Sequence, residues 1–146
     1  MIKLVSILKQ TIKEGICDSS TARNHIVNIL DTSNNPIDDV VADYKSWNNS
    51  MHDTVISTGA CEEWNIQLGI LLKQKLDPSV SVWKGEPNIP DLPEHYIVKY
   101  KDYILDYTAE QFFGYGLGNN LPGNTMKYTQ SEYADIYAAY KWQKII

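Results

Sequence analysis

The dipeptide Asp77-Pro78 divides the chain into two hydrophobic periods. Before it, Trp64, Leu68, Leu71, Leu72 and Leu76 recur at the spacing of one helix face. The proline ends that run, because the residue before a proline disfavours the helical conformation. After it the period is two: Val80, Val82 and Trp83 predict a strand. A chain that changes period in this way must set a helical part against a sheet.

The rest of the chain fits the same division. Ile2, Val5, Leu8, Ile12 and Ile16 predict a first helix, with Gly15 as its stop. Asp18, Ser19 and Ser20 offer caps to a second, whose apolar side is Ile26, Ile29 and Leu30. Pro36 sits where a third helix begins, running to about Trp47. Asn48 to Thr58 is polar and reads as a loop, and the helix carrying Trp64 starts near Ala60. Beyond Trp83, Gly85 to Pro93 reads as a loop. His95 to Tyr100 and Tyr103 to Tyr107 read as two strands around a Lys101-Asp102 turn. Gly114, Gly116, Gly118 and Gly123 mark a flexible region, a plain loop or a flap. Thr129 and Glu132 form a capping box ahead of a last helix holding Tyr133, Ile136, Tyr137 and Tyr140. Helices, then strands, then a helix predict an α+β fold, and 146 residues suit a single domain spanning 1–146.

Charge and cysteine content narrow the function. A net charge of -5 argues against a nucleic-acid surface, which needs a basic patch. The two cysteines, Cys17 and Cys61, make no disulfide framework, and no paired Cys or His spacing marks a metal site. No cofactor is expected. No segment has the length of a membrane span, and the N-terminal apolar run is interrupted by Lys9. These features predict a protein of a reducing compartment such as the cytoplasm, or one delivered elsewhere by a route without a cleavable signal. Ten tyrosines suit either a small core or a protein-binding surface.

Cys61 follows Thr58-Gly59-Ala60, at what reads as the first turn of a helix. Unpaired N–H groups there favour a thiolate. Glu62 and Glu63 oppose it, since nearby carboxylates disfavour the charged sulfur. A second constellation lies downstream. With the hairpin turn at Lys101-Asp102, Tyr100 faces Tyr103, Ile97 faces Asp106 and His95 faces Thr108. His95 and Asp106 then share one face as diagonal neighbours, roughly 7–8 Å apart at the backbone. A carboxylate beside an imidazole fixes its tautomer and stabilises its charged form. His25 and His52 read as structural or solvent-exposed, and Cys17 as a packing residue.

A helix-borne cysteine, then a strand-borne histidine, then a strand-borne aspartate is the order of the papain-like cysteine fold. The stretch from Thr58 to Gly114 resembles that superfamily. Asp106, Thr108, Gln111 and Phe112 look like the Asp-x-Thr-x-x-Gln-Phe element of bacterial papain-like toxin and effector domains. The resemblance implies a nucleophile helix packed on a small antiparallel sheet, with Cys61 as nucleophile, His95 as base and Asp106 as its orienting partner. It departs from true papains at Gly59-Ala60-Cys61, and Val55 stands where they carry the oxyanion-hole glutamine. The backbone N–H of Cys61, a donor from the preceding loop, Gln111 and Gln67 are the alternatives for that role. Trp64, together with Trp83, is a candidate for lining the substrate groove.

The implied function is a cysteine hydrolase acting on a protein substrate, with a basic patch on the partner suiting the acidic chain. Glutamine deamidation of a host protein is the first expectation. Peptidase, isopeptidase or transglutaminase-like chemistry is the alternative. A catalytically inactive binding module with the same fold is a reading of another class, and an unrelated helical domain with a hairpin is the third. Oligomeric state is not legible in the sequence.

Overall fold

The computed structural model describes residues 18–50 and 62–146. The expected first helix, Cys17, His52, Val55 and Cys61 lie outside the described residues. Among the described residues, no helix is long and apolar enough to cross a membrane.

Helices α1 (Ser19–Thr32), α2 (Pro36–Ser50) and α3 (Glu62–Lys75) pack on a five-stranded antiparallel sheet. The sheet contains β1 (Ser81–Pro87), β2 (His95–Tyr100), β3 (Tyr103–Leu105), β4 (Lys127–Thr129) and β5 (Tyr140–Lys144). Their spatial order is β4-β3-β2-β1-β5. A 3-10 helix (Ala109–Tyr115) and a short helix α4 (Ala134–Ala138) complete the described chain. The fold is therefore α+β, with helices on a small antiparallel sheet.

Side-chain alternation gives the sheet two apolar faces. Val98 and Leu105 join Ala22, Ile26, Tyr44, Leu68 and Leu72 in the helical core. Ile97, Ile104 and Tyr128 face the other way, into a second core with Phe112, Tyr133, Ile136 and Tyr140. Of the helix face read from the sequence, Trp64, Leu68, Leu71 and Leu72 are buried, whereas Leu76, one residue past the end of α3, is exposed. Each buried leucine contributes about 1.5–3 kcal/mol relative to exposure. Gly69 lets α3 lie directly on β1 and β2. A Cβ there would sit 2.2 Å from Val82 Cγ2 and 3.1 Å from Val98 Cγ2.

The hairpin register is as expected, with Tyr100 opposite Tyr103 and Val98 opposite Leu105. The ladder ends there. The chain turns at Asp106, whose N–H bonds Met126 O on the neighbouring segment, so the expected pairs Ile97–Asp106 and His95–Thr108 do not form as strand pairs.

Three expectations need correction. Strand β1 continues through Gly85 to Pro87, because β5 pairs with its far half: Gly85 lies opposite Trp142 and Pro87 opposite Tyr140. The last helix stops at Ala138, and Tyr140 to Lys144 is a strand. The capping box does form, with Thr129 N donating to Glu132 Oε1 at 2.8 Å and Glu132 N to Thr129 Oγ1 at 3.2 Å. It opens a turn followed by only five helical residues, because the edge of β1 recruits what comes next. The glycine-rich region is also more ordered than a plain loop. Its first part belongs to the 3-10 helix, capped by Gly116 at φ 72°, and Leu121 is buried in the second core.

Candidate functional site

His95 opens β2 and Asp106 follows β3, so the hairpin brings them to one end of the sheet. Both side chains are wholly buried, and His95 Nε2 lies 2.6 Å from Asp106 Oδ2. The pairing expected from parity is realised in the side chains, although the strand ladder stops short of it.

The Asp106 carboxylate is saturated with donors. Tyr133 Oη donates to Oδ2 at 2.7 Å, beside the imidazole. Oδ1 accepts from Asn65 Nδ2 at 2.8 Å, Thr108 N at 2.9 Å and Thr108 Oγ1 at 3.1 Å. The two Thr108 bonds are an aspartate's local turn onto the residue two places on. Asn65 also receives Tyr107 N at 2.7 Å and donates to Tyr96 O at 2.9 Å, so α3 clamps both strands of the hairpin.

The other ring nitrogen faces the start of α3. Glu62 Oε1 lies 3.0 Å from His95 Nδ1, and Glu62 Oε2 accepts from Tyr96 N at 3.2 Å. Glu62 is the only exposed route into the cluster among these three groups, its side chain being 22% accessible against 0% for His95 and Asp106. Phe112 sets its ring edge-on to the imidazole, 4.9 Å between centroids at 87°, and Tyr140 and Trp142 of β5 lie within 6.0 Å and 6.4 Å.

Burial opposes a charge on His95, but the charges of Asp106 and Glu62 and their hydrogen bonds outweigh it. Its pKa is pushed up to about 10. Burial likewise opposes ionisation of Asp106, and the His95 charge, with the donors from His95, Tyr133 and Thr108, holds its carboxyl below the usual range. The cluster at neutral pH is thus an imidazolium held between two carboxylates. A charged ring donates from both nitrogens. Gln111 Nε2, 3.4 Å from Nδ1, is therefore a neighbour of the ring; its hydrogen bond goes to Thr108 O at 2.9 Å.

The four residues of the Asp-x-Thr-x-x-Gln-Phe stretch all act on one ring. Asp106 holds it, Thr108 holds Asp106, Gln111 ties down Thr108, and Phe112 packs its face. Gln111 stands beside the site. Gln67 does not: two positions on from Asn65, it is turned roughly 200° around α3 and makes no hydrogen bond to the cluster. Trp64 is 1% exposed, edge-on to Tyr107 in the helical core. Trp83 lies on the opposite face of the sheet, under the Lys99 ammonium. His25 Nε2 lies 2.6 Å from Asp43 Oδ2 and joins α1 to α2.

Sequence reasoning missed Asn65 and Tyr133 and assigned Glu62 only a field effect. Asn65 had a signal: a polar residue next to Trp64 and three before Leu68, on the buried face of α3. Tyr133 had none, being one of ten tyrosines whose hydroxyl partner lies 27 residues away.

No protein family, curated protein or solved structure matches the chain.

Proposed function

We propose that this protein is a papain-like cysteine hydrolase that uses Cys61, His95 and Asp106. The observation that carries the reading is the buried His95–Asp106 pair, whose other ring nitrogen lies 3.0 Å from Glu62 Oε1, at the first residue of α3. Glu62 is that residue, and the peptide bond ties the Cα of Cys61 to within about 3.8 Å of it. For the reaction, the thiol of Cys61 must take the place of Glu62 at Nδ1.

The chemistry follows from the charge state. A thiol facing an imidazolium loses its proton to solvent at a lowered pKa, leaving a thiolate–imidazolium pair. The thiolate attacks a carboxamide carbon, and the ring proton passes to the departing nitrogen. A thioester forms as ammonia or an amine leaves. Water then adds, its proton returning to His95, and the thiolate is released with the acid. Asp106 stays ionised throughout and holds the ring upright. The likeness to toxin and effector domains at Asp106, Thr108, Gln111 and Phe112 favours glutamine deamidation of a host protein over peptide cleavage.

Incubation with candidate target proteins, followed by intact-mass analysis, tests the proposal. Deamidation adds about one dalton, since ammonia is replaced by water, whereas fragments mean proteolysis. Cys61→Ala abolishes either product with the fold intact. Product formation by that variant removes the proposal.

One observation favours a second reading. Glu62 already occupies Nδ1, so the cluster is complete as a buried structural ion network. In that case the protein is a binding module, and Cys61 reacts with iodoacetamide no faster than a peptide thiol.

A further inference from the structure

The β2–β3 ladder stops at Val98–Leu105, and a side chain of α3 stands where its next bond belongs. Across a two-residue turn, Tyr100 and Tyr103 are a hydrogen-bonded pair, and bonded pairs recur at every second residue of an antiparallel ladder. Val98 opposite Leu105 is the next such pair. On the same register Tyr96 and Tyr107 come after it, with the Tyr107 N–H aimed at Tyr96 O. That strand pair does not form. Tyr107 N donates instead to Asn65 Oδ1 at 2.7 Å, and Asn65 Nδ2 donates to Tyr96 O at 2.9 Å. A carboxamide has an acceptor at one corner and donors at the other, so it is spliced into the bond like an extra peptide unit.

The other main-chain group that Tyr96 turns toward β3 is also held by α3. Tyr96 N donates to Glu62 Oε2 at 3.2 Å, and Glu62 lies three residues before Asn65, on the same side of the helix. Asp106 N meanwhile stays on Met126 O, beside β4. The end of β3 therefore parts from β2 while keeping its hold on the next strand. Asn65, fully buried, fills the gap and satisfies backbone groups that would otherwise lack partners.

The same amide reaches the acid–base pair. The second hydrogen of Asn65 Nδ2 goes to Asp106 Oδ1 at 2.8 Å, leaving Oδ2 to meet His95 Nε2. One side chain thus sets the opening of the hairpin, the rotation of the carboxylate and the seat of α3 against both. We infer that Asn65 is a positioning residue: wedged in the ladder, it aims Asp106 at His95 and fixes the register of α3 to that pair. Its bearing on catalysis rests on the hydrolase reading above, whereas the wedge itself does not.

NMR on the full chain tests the wedge and the aim separately. In the wild type, the coupling carried through the hydrogen bond of the Tyr107 amide nitrogen is expected to reach the side-chain carbonyl carbon of Asn65. Coupling to the Tyr96 carbonyl, or to neither, overturns the wedge. Asn65→Leu, close in size and without polar atoms, is expected to lower the midpoint of the His95 ring titration by at least about one pH unit, a tenfold change in the proton equilibrium. Loss of a donor alone works the other way, since removing an N–H dipole from Asp106 leaves more negative charge facing the imidazolium. An unchanged or higher midpoint therefore overturns the positioning role. Where the leucine variant does not fold, Asn65→Ser, too short to span Tyr107 and Tyr96, carries the same prediction. Alkylation of Cys61, mapped apart from Cys17, separates this inference from the hydrolase reading. A wild-type Cys61 no faster than a peptide thiol removes that reading and not the inference, which the His95 midpoint decides. An assisted Cys61 that reacts equally fast in Asn65→Leu overturns the positioning role.

Discussion

The Glu62 carboxylate holds His95 at Nδ1, 3.0 Å away, on the side left over once Asp106 has taken Nε2. One ring therefore joins the N-terminus of α3 to the end of the hairpin. The same contact is what a thiolate at position 61 would have to displace.

Glu62→Gln removes a negative charge next to Cys61 and loosens the hold on Nδ1. The alkylation rate of Cys61 at pH 7, read by peptide mapping so that Cys17 is scored separately, is expected to rise. A gain on the order of tenfold corresponds to one pKa unit. A slower reaction in the variant would mean that Glu62 supports the thiolate.

Stability should depend on pH through the buried pair. The His95 pKa is raised, from 6.5 to about 10, by its carboxylate neighbours. Its contribution is fully present below about pH 6.5 and is lost as pH rises through about 10. Asp106, whose pKa is lowered, contributes above about pH 4 and loses that contribution as pH falls. Urea unfolding at pH 6.5 and pH 9.5 is predicted to show a drop at the higher pH. In Asp106→Asn, which lacks the main charge holding the proton on His95, the drop should shrink. Equal drops in the two proteins would show that His95 is not the titrating group.

Tyr133→Phe deletes one donor to a buried carboxylate. Hydrogen bonds to charged groups are worth about 1.5–3 kcal/mol, and the unfolding free energy should fall by that amount. A change below about 0.5 kcal/mol, the usual range for surface substitutions, would show that the hydroxyl is dispensable to Asp106.

The packing of α3 on the sheet is tested at Gly69. An added methyl overlaps Val82, so Gly69→Ala should cost about 1–3 kcal/mol by overpacking. Val82→Ala in the same chain should recover part of the loss. Additive effects of the two substitutions in urea would indicate that the helix and β1 are not in contact.

Local chemistry explains which parts of the structure the sequence revealed. The α3 face, the Lys101-Asp102 turn and the Thr129–Glu132 capping box rest on neighbours a few residues apart, and all three were legible. So was the meeting of His95 and Asp106, which follows from the parity of the hairpin although its ladder stops at Leu105 and the side chains alone complete the contact. Strand β5 was not legible: its pairing with Gly85 spans more than half the described sheet segment of the chain, and Tyr137 and Tyr140 also satisfy a helical spacing. The contact that selects the strand is the tight fit of Trp142 and Tyr140 over Gly85, where a Cβ would lie 2.7 Å and 2.9 Å from their rings. The place of Trp64 beside Cys61 in the chain says nothing of which way the helix turns it, and the structure buries its ring in the helical core, against His25 and Tyr107.

The most direct test of the account is the pH profile of Cys61 alkylation by iodoacetamide in the wild-type chain. A thiol served by the His95 imidazolium should react with an inflection well below pH 8, and Asp106→Asn should move that inflection upward. An inflection at about 8.5, the value of an unassisted cysteine, and unmoved in the variant, would contradict it.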